Sequence, residues 1–251
     1  MKIAIDRVLE KLDEYFSKND MQGANRHLKY WVEEAKAVGD KAALFAVYNE
    51  QIGFYRKAEQ EEDTMSCCLK AEALLQELGL ENTLGGTTTY VNIATAYKAF
   101  GKAAVGLPYF QKAQKVYETY LEPQDKRLAA LYNNMALALT DTAAYKEAER
   151  YYQKAISIQH ALPDGLPEEA ISYLNLADLK EREQEATRQP DDAALLDCVQ
   201  KAKACLENPS ISQNGYYAYV CEKCAPTFRY YGFFRYATEL EERAKQLYAG
   251  T

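Results

Sequence analysis

Between residues 128 and 155 apolar and small residues fall at steps of three and four: Tyr132, Met135, Ala136 and Leu139, then Ala148, Tyr152 and Ala155. That spacing places each set on one helical face and predicts two amphipathic helices joined by a tight turn. Residues 86–113 repeat the pattern, with Tyr90, Ile93, Ala94 and Tyr97 followed by Gly106, Phe110 and Ala113. Both segments close on Gln-Lys-Ala, at Ala113 and Ala155. The small residues Ala94, Gly106, Ala136 and Ala148 lie where two helices cross, because a larger side chain there would push the backbones apart. Working outward, equivalent places fall at Trp31, Ala71, Ala113, Ala155, Ala202 and Ala244, a recurrence every ~40–47 residues that marks a helical solenoid. The units of such an array bury their apolar faces only against their neighbours.

The remaining units keep parts of the pattern. The sixth has Cys221, Cys224, Ala225, Phe228, Ala237 and Ala244; the fifth has Tyr173, Leu176, Ala177 and Ala202, with a short insertion around 183–192. The second offers Gly53, Cys67 and Ala71, and the first Ala24, Leu28 and Trp31. Gly39-Asp40, Gly79 with Gly85-Gly86, Pro123, Pro163 to Pro167, and Asn208-Pro209 punctuate the units, since Gly and Pro end helices. Pro190 followed by Asp191 and Asp192 suits the first turn of a helix, where a missing N–H is harmless and acids meet the positive helix end. A last helix over 233–249, rich in Glu, Arg and Lys, suits a terminal element with one side in water.

The order of large, small and aromatic residues in the third and fourth units resembles the tetratricopeptide repeat. The step near 42 and the strings Asn-Ile-Ala and Asn-Met-Ala are similar to the longer subclass of kinesin light chains and many bacterial regulators. The resemblance implies an all-α fold: six helix pairs in one right-handed superhelical solenoid over 1–251, with repeats near 1–39, 40–79, 84–123, 124–163, 166–208 and 210–251. It also implies a concave groove that binds protein or linear peptide.

Composition narrows the function. Hydrophobic residues make up 48% of the chain, ample for a core, and the net charge is −7. Lys and Arg are scattered among acids, so neither nucleic acid nor an anionic membrane finds a basic face. Asp6, Arg7 and Glu10 interrupt any apolar signal-like run, and the uncharged stretch 82–97 is too polar and short to span a bilayer. Six cysteines without a secretory signal predict reduced thiols in a cytoplasmic protein.

Catalytic chemistry is not expected. Two histidines, with no GxSxG, GxxxxGK or HExxH, leave nothing to assemble a nucleophile or a metal site. Cys221 and Cys224 form the one CxxC, but they lack two further ligands and fall on core places of the repeat, so buried thiols are expected and no metal or other cofactor.

Binding candidates form two sets. Asn92, Asn134 and Asn175 recur once per unit, each two positions before a small packing residue, which turns them away from their own second helix. Counting likewise from Gly53 and Ala225 extends the row to Gln51 and Lys223. A carboxamide both donates and accepts, so the row can read a peptide backbone irrespective of its side chains; alternatively, each Asn bonds the neighbouring helix and sets the curvature. The resemblance favours peptide contact at this place. The second set is a docking patch of Tyr216, Tyr219 and Phe233 among nine aromatic residues between 216 and 236, more than two helices can bury, for which a bulky terminal cap is the alternative. The function expected is a protein- or peptide-binding adaptor. A bacterial regulator that senses a short peptide, or a homo-oligomer built through the aromatic end, are the other readings.

Overall fold

In the computed structural model, which describes residues 2–189 and 191–249, all regular structure is helical. Twelve helices follow one another: α1 (Ile5–Ser17), α2 (Met21–Val38), α3 (Lys41–Lys57), α4 (Glu61–Glu77), α5 (Leu84–Ala99), α6 (Ala103–Tyr120), α7 (Lys126–Asp141), α8 (Tyr145–Ala161), α9 (Leu166–Thr187), α10 (Asp192–Leu206), α11 (Gly215–Tyr230) and α12 (Phe234–Ala249). Consecutive helices pack as antiparallel pairs of the repeat type expected. The chain forms two compact units, residues 1–120 and 121–251.

The predicted stripes are the core. Ala94, Ala113, Ala136, Ala148, Tyr152 and Ala155 are all completely buried, and Ile93, Phe110 and Met135 nearly so. Gly106 is required by its crossing: a Cβ there would stand 2.7 Å from the Ala94 carbonyl oxygen. Gly53 does not occupy such a place. A Cβ on it meets nothing within 4 Å, and the fully buried residue of α3 at the crossing is Ile52. The register of α3 is therefore one residue earlier than its glycine suggests.

Side-chain caps start several helices. Asp20, Asp40, Thr83, Asp125, Asp191 and Asn214 each accept from a backbone N–H two or three residues on, which satisfies one of the donors a helix start leaves open. Asp191 caps α10 by accepting from Ala194 N at 3.1 Å; the first-turn role expected of Pro190 lies outside the described residues. The extra length of the fifth repeat lies largely in α9, which runs 22 residues against 16 for α7 and ends at Arg188 in the left-handed conformation.

A ladder of cations over tyrosines recurs through both units. Lys70 stands over Tyr48 at 5.7 Å, Lys112 over Tyr90 at 5.1 Å, Lys154 over Tyr132 at 5.0 Å, Lys201 over Tyr173 at 5.8 Å and Arg243 over Tyr217 at 6.0 Å. Each cation directly precedes the small residue of its second helix, so the Lys of Gln-Lys-Ala lies beside the crossing and covers the ring of the first helix. Attraction to the ring face, with the aliphatic stem laid on apolar surface, adds to each crossing what an alanine could not.

All six cysteines are free and buried. Burial pushes the thiols up, Cys67 to about 11 and Cys68, Cys205 and Cys224 to about 12, so they stay protonated and pack as small apolar groups. Among the described residues no three His, Cys, Asp or Glu side chains gather as metal ligands, and no helix is long and apolar enough to cross a membrane.

Candidate peptide-binding faces

Each unit presents a face formed by its first helices. In the first unit, Asn92 of α5 donates through Nδ2 to Asn49 Oδ1 of α3 at 3.2 Å, and Asn49 in turn donates to the Phe45 carbonyl at 3.0 Å. In the second unit, Asn175 of α9 donates through Nδ2 to Asn133 Oδ1 of α7 at 3.1 Å, an oxygen that also accepts from Ser172 at 3.2 Å. These amide bridges tie adjacent first helices together, so cross-helix bonding, one of the two roles open to these asparagines, is present. The bridges do not exhaust the carboxamides. No described side chain donates to Oδ1 of Asn92 or Asn175, and the half-buried Asn134 has no side-chain hydrogen bond among the described residues.

Gln51 stands apart from this row. It is 5% exposed, and its Oε1 accepts from the Cys67 thiol at 3.3 Å, inside the α3–α4 interface. With the register of α3 set by Ile52, the row's place there is Glu50, whose carboxyl burial pushes up, with Asp13 adding to the effect. Phe54, near the end of α3, is in the core, stacked on Phe16 at 6.3 Å.

Lys223 of α11 is exposed and stands 5.9 Å from the Tyr219 ring, which lies 6.2 Å from that of Tyr216. Steps of three, four and seven place Tyr216, Tyr219, Lys223 and Tyr230 on one stripe of α11, so the row member and two of the docking aromatics share one surface. Tyr216 and Tyr219 are 47% and 48% exposed. Phe233 is not part of this stripe: it lies in the α11–α12 turn, half-buried, with its ring edge-on to Phe228 at 6.0 Å. Most of the other aromatics are held locally. Tyr217 donates to the Leu206 carbonyl at 2.7 Å, Tyr236 to Glu207 at 2.8 Å, and Tyr230 and Tyr231 both donate to Glu181 of α9 at 2.8 and 3.1 Å.

Two further bonds close the second unit's face. Arg182 of α9 pairs with Asp178 at 2.9 Å and reaches Asp141 of α7 at 3.2 Å. Together with the Tyr–Glu181 bonds, these tether α9 on both sides. Sequence reasoning missed Asn49 and Asn133, although their separation is twice the repeat step. It also missed the covering cations, whose signal is the Lys or Arg directly before the small residue in the second to sixth repeats.

The profile of the tetratricopeptide repeat matches residues 87–160. Among solved structures, the chain is similar to BtubC (BKLC) from P. vanneervenii, with a TM-score of 0.69 and 18% identity over 80% of this chain and 79% of that one. It is similar also to the nearly identical repeats of a Podosopora anserina protein described as a putative kinesin light chain, with a TM-score of 0.56 and 15% identity over 81% of this chain and 94% of that one. A Rap protein complexed with competence and sporulation factor matches with a TM-score of 0.53 and 16% identity, over 96% of this chain and 73% of that one. No curated protein sequence matches the chain. Residues 87–160 are therefore tetratricopeptide repeats, and the helix pairs on either side have the same fold. Repeats of this kind serve in general as protein-interaction scaffolds.

Proposed function

We propose that this protein is a cytoplasmic adaptor that binds a partner through an extended, linear peptide segment lying along the first-helix face of its second unit. The observation that carries the reading is Asn134: a half-buried carboxamide at the middle of α7 without a side-chain hydrogen bond among the described residues, which offers both a donor and an acceptor at one peptide spacing. In the same unit Asn175 adds an open acceptor, and the Tyr216–Tyr219–Lys223 stripe adds apolar area with a cation beside it; Asn92 offers an open acceptor on the first unit's own face. A peptide-sensing regulator uses the same face and differs in the source of the peptide; the likeness to the Rap fold along 96% of this chain is what favours that variant.

The test begins with peptides selected on the immobilised protein from a random-sequence library. Asn134→Ala should weaken a selected peptide by about one to two decades, the equivalent of ~1–3 kcal/mol for a lost hydrogen bond that leaves a peptide group unpaired. N-methylating the peptide backbone should cost more than shuffling its side chains. Unchanged affinity in the Asn134 variant removes the amide row from recognition and transfers it to Tyr216 and Tyr219.

A further inference from the structure

The turn between α8 and α9 encloses polar groups that the packing of the repeat does not explain. Gln159, in the last turn of α8, sits where four of the other five second helices place Ala35, Leu75, Tyr117 and Leu206 in the core, Tyr248 of the terminal α12 being exposed. It is 5% exposed, and its Oε1 is buried without a hydrogen-bond partner among the described residues. Nine residues on, in the first turn of α9, Oε2 of Glu168 is likewise buried and unpartnered. Both residues line one cavity of about 360 Å³ in the second unit. Buried polar atoms are almost always bonded, and an apolar residue at Gln159 would pack as its four counterparts do.

We propose that this cavity binds a primary ammonium group carried on an aliphatic stem. Both orphan atoms are acceptors, so the missing partner must be a donor with more than one N–H, and an ammonium carries three on a compact head. The charge agrees. Asp164 and Glu168 line the cavity against Lys126, while Arg127 is held by Asp125 through bonds of 2.9 and 2.6 Å. Ala129, Ala130 and Leu162 supply apolar wall for a stem. Gly165 fixes the floor: a Cβ on it would fall 1.9 Å from the Gln159 carbonyl oxygen, so the turn presses close onto the end of α8. An adjoining cavity of about 400 Å³ shares Lys126, Asp164 and Glu168 and extends to Tyr216, which leaves room for a longer ligand. Burial, and then a side-chain hydrogen bond to the Glu168 carboxylate, push the Tyr216 hydroxyl up. The site does not depend on the amide row.

Nuclear magnetic resonance on the full chain tests this with three probes: N-acetyl-lysine methylamide, leucine methylamide, and N-acetyl-norleucine methylamide, which has no ammonium. At least one amine should produce saturable shifts at the Gln159 side-chain amide and the Gly165 N–H, and norleucine none. A response to the lysine probe alone assigns the ligand to a side chain of a partner, and a response to the leucine probe alone to a chain terminus or free amino acid; either supports the site. Glu168→Gln should weaken binding at least tenfold. Gln159→Leu should abolish it while raising the thermal midpoint. No saturable shift from either amine, with Gln159→Leu folded and more stable, means the orphan acceptors hold water only and overturns the proposal. Binding retained by both variants overturns it equally.

Discussion

At the scale of single residues, the thiols and the covering lysines make the most direct predictions. A buried thiol whose folded value lies near 11 or 12 keeps its proton when the unfolded chain has already lost it above its ordinary value near 8.5. Between those limits the unfolded state binds fewer protons, so stability falls as pH rises, by ~1.4 kcal/mol per pH unit for each such thiol. Thermal melts from pH 7 to 10.5 should show midpoints flat at first and falling above about 9. Cys205→Ala should flatten that fall; an unchanged pH profile would place the thiol in water. Lys154, poised between the rings of Tyr132 and Tyr151 at 5.0 and 5.3 Å, gives a second case. Lys154→Ala should lower stability by ~0.5–1 kcal/mol in urea denaturation, the range of an exposed cation–ring contact.

At the scale of helices, two glycines that look alike in sequence should respond in opposite directions. Gly106→Ala drives a Cβ onto the Ala94 carbonyl and should destabilise by ~1–3 kcal/mol. Gly53→Ala meets open space inside a helix and should stabilise by ~0.5–1 kcal/mol. Equal effects at the two sites would refute the register assigned to α3. The asparagines separate in the same way. Asn175→Ala removes the α7–α9 bridge and should lower stability by ~0.5–1.5 kcal/mol. Asn134→Ala, with no such bond to lose, should leave the melting curve in place while changing peptide affinity.

At the scale of the molecule, 30 basic and 37 acidic residues are interleaved, not segregated. Recognition by neutral carboxamides and tyrosines then predicts weak dependence on salt: raising it from about 50 to 500 mM should move the dissociation constant of a selected peptide by less than about threefold, since screening acts mainly on charge pairs. A steep loss with salt, measured by calorimetry, would instead assign recognition to the charged side chains around Arg182.

What the sequence determined by itself is the fold class, the six helix pairs, and the core of the third and fourth repeats. Periodicity at three and four residues and a regular repeat step are local facts, and helices are built from local bonds. The burial of Cys221 and Cys224 was legible on the same ground. Tertiary structure alone decided the rest. Gly53 is small and so looked like a crossing, but a glycine marks a close approach only if something approaches, and Ile52 is the residue that α3 buries. That single step moved Gln51 from the face into the interior. The amide bridges Asn49–Asn92 and Asn133–Asn175 needed partners a whole repeat away at a particular rotation, and Phe233 left the docking patch because a turn, not a helix, aims it. The orphan acceptors of Gln159 and Glu168 appear only once the neighbouring backbone has closed around them. A side chain's period fixes which face it occupies, whereas its bonds are fixed by what the rest of the chain brings opposite that face.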